Sequence, residues 1–241
     1  MSPSIESNRA AAPTPAKRPV AATPSKPARP APPATSRDQL SLSRPSSQLD
    51  RLSKQLEGPL PAIPARPQSA DWKSHDRANR DALISVLRQD QPIVEGLEDW
   101  KSLPQDLKLQ LGARISNIQA AIYGFRPVKL RAEDGPYRGG FHPGNGGEIT
   151  VGPKSLVSAR EFLNTVVHEQ THALQWEKGN AAVTKKLDRT DPYFAAAEPW
   201  LDNFYDYQTP AKGFRAYRDQ PIEAHAFATG DVVAAAVLGK N

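Results

Sequence analysis

The sequence predicts an α+β fold, in which a mostly helical domain with a small antiparallel sheet or hairpin follows a long disordered N-terminal segment. Three observations lead to this class: a proline-rich beginning, apolar residues at helical spacing further on, and two short segments with alternating apolar residues. Fourteen of the 24 prolines lie before residue 70. Such a segment buries too little apolar surface to offset the entropy lost on ordering. We therefore predict a disordered leader and linker at residues 1–68 and one domain at residues 69–241.

The leader is basic, whereas the domain is nearly neutral. Residues 1–70 carry ten Lys/Arg and four Asp/Glu, a net charge of +6, and residues 71–241 carry 21 and 22, a net charge of −1. The leader has no aromatic residues between its cations that could stack on bases, so we expect no specific nucleic-acid partner. Within it, residues 46–57 place leucines on one helical face before Gly58 and Pro59. This predicts a short helix, which either docks on a partner or forms only transiently in the linker.

Several classes of protein and site are excluded by composition. The chain has no cysteine, so a metal must be bound by His, Asp or Glu side chains. No apolar run approaches the 18 residues typical of a membrane span, and we expect none. The N-terminus also lacks the apolar core of a cleaved secretory signal.

Apolar spacing predicts five helices in the domain. The first lies over roughly 71–89, and the second, opened by Pro104, over roughly 105–124. The third, over roughly 158–177, begins with the capping-box pattern SARE, and Gly179 is placed to end it. A fourth helix is indicated around 194–206 and a last one over about 220–238.

Between the second and third helices the period of the pattern changes to that of strands. Residues 126–132 and 147–152 alternate apolar and polar side chains. The connection GPYRGGFHPGNGG lacks the strand–glycine–helix context of a phosphate-binding loop. We therefore interpret the two segments as a hairpin with a flexible tip.

The third helix contains the motif HEQTH, of the form HExxH, at residues 168–172. His168 and His172 are four residues apart, which places both imidazoles on one helix face, where they can reach a single metal ion. Glu169 projects to the neighbouring side, where it can take a proton from water beside the metal. The motif therefore predicts a metal-dependent hydrolase with Glu169 as the general base.

A third ligand must come from further along the chain. We favour Glu223 at the start of the last helix, because the small Ala226 three residues later lets that helix approach closely. His225 remains an alternative ligand. One of four aspartates earlier in the chain is another alternative: Asp188, Asp191, Asp202 or Asp206. Tyr217, just before the Glu223 helix, is the candidate donor to the tetrahedral oxyanion, with His225 second.

The segments HEQTHALQ and PIEAHAFA resemble the zincin metallopeptidases, specifically the gluzincin branch, whose third ligand is a glutamate on a separate helix. The pattern also resembles small zincin domains of bacterial secreted toxins and effectors, and the resemblance covers about residues 126–235. It implies Zn²⁺ bound by His168, His172 and Glu223, with Glu169 as the catalytic acid/base. It further implies that strand 147–152 is the edge strand on which an extended substrate pairs. His225 stands where many such relatives carry an acid.

The resemblance implies a zinc-dependent endopeptidase acting on a protein or peptide substrate, secreted or injected as a bacterial effector; a cytoplasmic location is the alternative. The leader could contact secretion machinery or a chaperone. Two other functions remain open. One is a zinc peptidoglycan hydrolase or amidase, which the basic leader would suit. The other is a catalytically silent binding module, favoured if a segment such as PLPAIPARP blocks the groove.

Overall fold

Helix α5 (Ala159–Val183) runs through the centre of the fold, and the other long helices and the sheet pack around it. The computed structural model describes residues 5–6, 46–65 and 71–239. It confirms the predicted α+β class with mostly helical content. The remaining helices are α1 (Ser46–Leu56), α2 (Trp72–Gln89), α3 (Gln91–Glu98), α4 (Gln105–Tyr123), α6 (Phe194–Tyr205), α7 (Phe214–Asp219) and α8 (Pro221–Leu238).

Helices α2, α4, α6 and α8 begin and end within two residues of the predicted bounds. The short helices α3 and α7 were not predicted, because eight and six residues are too few for a helical period to emerge. The start of α5 follows its predicted cap, since Ser158 Oγ accepts a hydrogen bond from the backbone N–H of Glu161.

The predicted end of α5 at Gly179 is wrong, because the helix continues to Val183. Gly179 lies where α5 crosses α6. A Cβ built there would come within 2.8 Å of Leu201 Cβ and 3.0 Å of the Ala197 carbonyl oxygen. This glycine is therefore used for close helix packing instead of termination.

The sheet contains four strands in the order β1-β3-β4-β2: β1 (Ile5–Glu6), β2 (Lys129–Ala132), β3 (Gly139–His142) and β4 (Glu148–Val151). The predicted hairpin between 126–132 and 147–152 is not formed, because β2 and β4 pair in parallel. A third strand, β3, lies between them in sequence and pairs antiparallel with β4.

Strand β4 lies inside the sheet, between β3 and β2, so its predicted role as the edge strand is wrong. Strand β3 was missed because two of its four residues are glycines, which have low strand propensity. A Cβ at Gly139 would lie 2.6 Å from Thr165 Cγ2 and 2.8 Å from the Thr150 carbonyl oxygen. The glycine lets β3 pass directly over α5, beside Glu169.

Two segments of the predicted leader are among the residues that the structure describes. Ile5–Glu6 forms β1 and pairs antiparallel with β3. Helix α1 packs against α3 and α4 with Leu52 and Leu56 in the core. The chain after α1 is bound by Arg114, which donates to the carbonyl oxygens of residues 56, 58 and 59 and forms a buried ion pair with Asp90. The expected disorder of the rest of 1–68 lies outside the described residues.

Helix α8 is long and apolar enough, by length and composition, to cross a membrane, although the sequence reading expected no such segment. Core helices of soluble proteins can be equally long and apolar, and α8 packs against α2, α5, α6 and α7. Its contact with α5 depends on small residues. Ala226 is fully buried, and a Cβ at Gly230 would lie 2.9 Å from the Asn164 carbonyl oxygen. This close approach brings the first turn of α8 to the HExxH face of α5.

Candidate metal centre

His168 and His172 project from adjacent turns of α5 toward one point. Their Nε2 atoms are 3.1 Å apart, and the rings are nearly perpendicular, with centroids 4.8 Å apart. Both side chains are buried, and Phe227 of α8 packs against the His168 ring at 4.6 Å. The predicted convergence of two imidazoles is therefore present in the fold.

Glu223, in the first turn of α8, brings its carboxylate to the same point. Its Oε2 lies 3.3 Å from His168 Nε2, and its Oε1 lies 3.3 Å from His172 Nε2. The side chain is only 1% exposed, and Oε2 accepts no hydrogen bond from the residues that the structure describes. A buried carboxylate oxygen without a donor is costly unless a cation accompanies it.

These three groups lie close enough together to bind one ion. Four atoms held at about 2.0–2.1 Å from one zinc ion in a tetrahedron lie about 3.3–3.4 Å apart. The two Nε2 atoms are 3.1 Å apart, and each lies 3.3 Å from a different oxygen of the Glu223 carboxylate. The donor set of two imidazoles and one carboxylate also suits zinc.

Glu169 lies next to His168 and His172, but farther from their Nε2 atoms than Glu223 does. One of its carboxylate oxygens lies within 4.8 Å of the ligand atoms of His168 and His172. Because Glu223 reaches both Nε2 atoms at 3.3 Å, it is the nearer candidate ligand, and Glu169 is left to face the cleft. Strand β3 covers its stem, since the Cβ position of Gly139 is 3.5 Å from Glu169 Cγ.

The proton and charge balance of the metal-free site follows from burial and proximity. Burial raises the pKa of Glu169, and the neighbouring Glu223 raises it further. Burial opposes charge on His172 too, but the Glu223 carboxylate raises the pKa of His172 to about 9. Burial alone would raise the pKa of Glu223, yet the two imidazoles hold it well below its usual range. At neutral pH, a proton on His172 therefore balances the Glu223 charge.

Two tyrosines flank the carboxylate of Glu223. Tyr207 was not singled out from the sequence, and its hydroxyl donates to Glu223 Oε1 at 2.7 Å. The predicted Tyr217 is buried and lines the cleft next to Glu169. Burial, followed by the nearby carboxylates, raises the pKa of both phenols, so both remain protonated donors. Tyr207 lies 16 residues before Glu223 in an irregular loop, so no local spacing indicated it.

The alternative third ligands lie elsewhere or are engaged with other partners. His225 directs Nδ1 toward Gln175 and Nε2 toward Asp76, each at 3.0 Å. Asp191 binds Lys178 at 2.6 Å. Asp188 accepts hydrogen bonds from Thr190 instead. Asp202 and Asp206 lie near the end of α6, and both are exposed.

An open cleft of about 410 Å³ leads to the centre. Its floor includes His168 and Glu169, and aromatic side chains form much of its walls. The cleft is also lined by Tyr217, Phe214, Phe227, Arg138 and Lys154. Residues 59–65, from the segment considered as a plug, do not line this cleft. No protein-family model matches the sequence, and no curated protein or solved structure matches it either.

Proposed function

We propose that this chain is a zinc-dependent endopeptidase that hydrolyses peptide bonds, with Glu169 as the general base. The observation that carries the proposal is the convergence of His168, His172 and Glu223 within 3.3 Å of one another at the floor of an open cleft. The buried Glu223 carboxylate and its short distances to both imidazoles support a resident cation held by these three side chains.

The ion would polarise a substrate carbonyl and lower the pKa of water when bound. Glu169 then accepts a proton from the attacking water and passes it to the nitrogen of the leaving amine. Its buried position favours this exchange, because burial raises the pKa of the carboxyl toward the operating pH. The products are one carboxylic acid and one amine, so a single water is consumed.

Tyr217 suits the role of donor to the oxyanion that forms at the attacked carbonyl. Its protonated hydroxyl borders the cleft on the side of α7, close to Glu169. Tyr207 has a different role, because its hydroxyl is already committed to Glu223 Oε1. It holds the carboxylate in the orientation that faces the two imidazoles.

The shape of the cleft supports a peptide substrate. Phe214, Phe227 and Tyr217 offer apolar contact in the cleft, and the cations Arg138 and Lys154 also line it. A silent binding module would be favoured by a blocked groove, but residues 59–65 do not line the cleft. An amide in peptidoglycan would undergo the same chemistry, so cell wall serves as a comparison substrate in the test.

The experiment measures bound zinc and peptide-library cleavage for the wild type and for Glu169→Gln. We expect the variant to retain zinc and to lose about 10²–10⁴-fold in kcat, the usual contribution of a general base. Glu177→Gln, a half-buried residue of the same helix that pairs with Arg126, is the control and should keep full activity. A metal-free wild type, or a Glu169→Gln variant as active as the control, would refute the proposal.

A further inference from the structure

A chain of hydrogen bonds leads from His172, away from the cleft, to Asp76 on α2. His172 Nδ1 lies 2.9 Å from Gln175 Oε1, and Gln175 Nε2 lies 3.0 Å from His225 Nδ1. His225 Nε2 lies 3.0 Å from Asp76 Oδ1. Gln175 is fully buried, and the side chains of His225 and Asp76 are 8% and 7% exposed. Water therefore competes little for these contacts.

The carbonyl oxygen of Ile222 determines which atom donates in each hydrogen bond of this network. It can only accept, and Gln175 Nε2 lies 3.0 Å from it, so that nitrogen is the amide donor. Gln175 Oε1 consequently faces His172 Nδ1, which must donate to it. The second N–H of the same amide donates to His225 Nδ1.

The same logic gives the protonation pattern of both histidines. His172 donates from Nδ1 to Gln175, so Nε2 is the nitrogen that faces Glu223 and the centre. His225 must accept at Nδ1, so its proton is on Nε2 and is donated to Asp76. A histidine that binds zinc through Nε2 needs this tautomer, with Nδ1–H held by an acceptor.

The far end of the chain is held rigidly. The His225 ring stacks on Trp200 with centroids 5.1 Å apart and planes inclined by 3°, and the edge of the ring faces Trp72. Asp76 accepts a further hydrogen bond from Tyr193, which in turn accepts one from Asn79. These contacts fix the rotamers of His225 and Asp76. The two side chains can therefore orient Gln175.

We propose that Gln175 and His225 are positioning residues of the metal centre, and that Asp76 anchors them, so that helix α2 sets the orientation and tautomer of His172. The inference rests on the proposed function, because it concerns the metal that His172 would hold. Removing such a partner of a metal-bound histidine typically weakens metal affinity about 10–100-fold. The effect should fade with each step away from His172.

The test measures the zinc dissociation constant of the full chain by competition with a chromophoric chelator. Gln175→Met, which is close in size, should weaken zinc binding 10–100-fold. His225→Phe keeps the stacking on Trp200 and loses both nitrogens, and should weaken binding by up to about tenfold. His225→Asn can still accept from Gln175 and should restore most of that loss.

Gln119→Met is the matched control. Gln119 is also fully buried, and its Nε2 also donates to a backbone carbonyl of α5, that of Val167, but it does not touch a candidate ligand. Its zinc affinity should equal that of the wild type. The thermal transition of each metal-free variant shows how much of any change is loss of stability alone.

A second measurement uses only the wild type, so it remains decisive if a variant fails to fold. Long-range ¹H–¹⁵N correlation of the zinc-loaded protein should show the His172 proton on Nδ1 and the His225 proton on Nε2. A proton on Nδ1 of His225 would overturn the inference. So would zinc affinities of Gln175→Met and His225→Phe equal to that of Gln119→Met. In both cases, wild-type zinc binding and cleavage would leave the proposed function standing, whereas a wild type without zinc would remove both.

Discussion

Replacing Glu223 by glutamine tests whether its carboxylate and the His172 imidazole share one buried site. The substitution removes a negative charge 3.3 Å from His172 Nε2 and changes little in size. In the metal-free protein, that charge raises the pKa of His172 to about 9, against an ordinary value near 6.5. The difference corresponds to roughly 3 kcal/mol in favour of the protonated ring, at about 1.4 kcal/mol per pKa unit.

Without the carboxylate, burial opposes protonation of His172 and only Glu169 and Gln175 still favour it, so its pKa falls. The folded-state pKa of His172 is raised in the wild type, so its contribution to stability is complete below pH 6.5. That contribution is lost as pH rises toward 9. We expect the free energy of unfolding of metal-free wild type to fall across this window by up to roughly 3 kcal/mol. The Glu223→Gln variant should show a smaller decrease.

The assay follows the His172 Cε1 proton by NMR in chelator-treated protein between pH 5 and 10, with urea denaturation at matched pH values. His172 should titrate near 9 in the wild type and at a clearly lower pH in Glu223→Gln. If wild-type His172 titrates at or below 6.5, Glu223 does not face it, and the three-ligand centre is wrong.

Four further predictions concern the surroundings of the site and the packing of the fold. Tyr217→Phe should lower kcat about 10²–10³-fold with zinc affinity unchanged, as expected for loss of an oxyanion donor, and equal kcat values would contradict that role. Tyr207→Phe should instead weaken zinc binding in chelator competition, because Glu223 Oε1 loses its 2.7 Å donor. Gly139→Val should destabilise the fold by about 1–3 kcal/mol in urea denaturation, because its Cβ would press on the Thr150 carbonyl oxygen at 2.8 Å; unchanged stability would show that β3 can shift. Arg114→Leu should cost about 3–5 kcal/mol by the same measurement, since it leaves a buried aspartate without its partner.

Local sequence pattern was sufficient to predict the long helices and the two histidines of the candidate metal centre. The apolar period of α4 and the Ser158 cap of α5 depend on residues three or four positions apart, and such interactions form before any tertiary contact. The same short range brings His168 and His172 together, because one helical turn sets their spacing. The sequence indicated Glu223 as a third ligand only through the family resemblance and through the small residue Ala226 in the same helix.

Only the tertiary structure decided which groups from distant parts of the chain meet. Tyr207 reaches Glu223 from an irregular loop, and Asp76 reaches His225 across 149 residues of sequence. Strand β3 forms where the glycine-rich sequence predicted a loop, because Gly139 fits over α5 and its neighbours supply the pairing that its own propensity lacks. The residue pattern of a helix is set by its own 3.6-residue period, whereas these contacts depend on packing between elements, which no local period encodes.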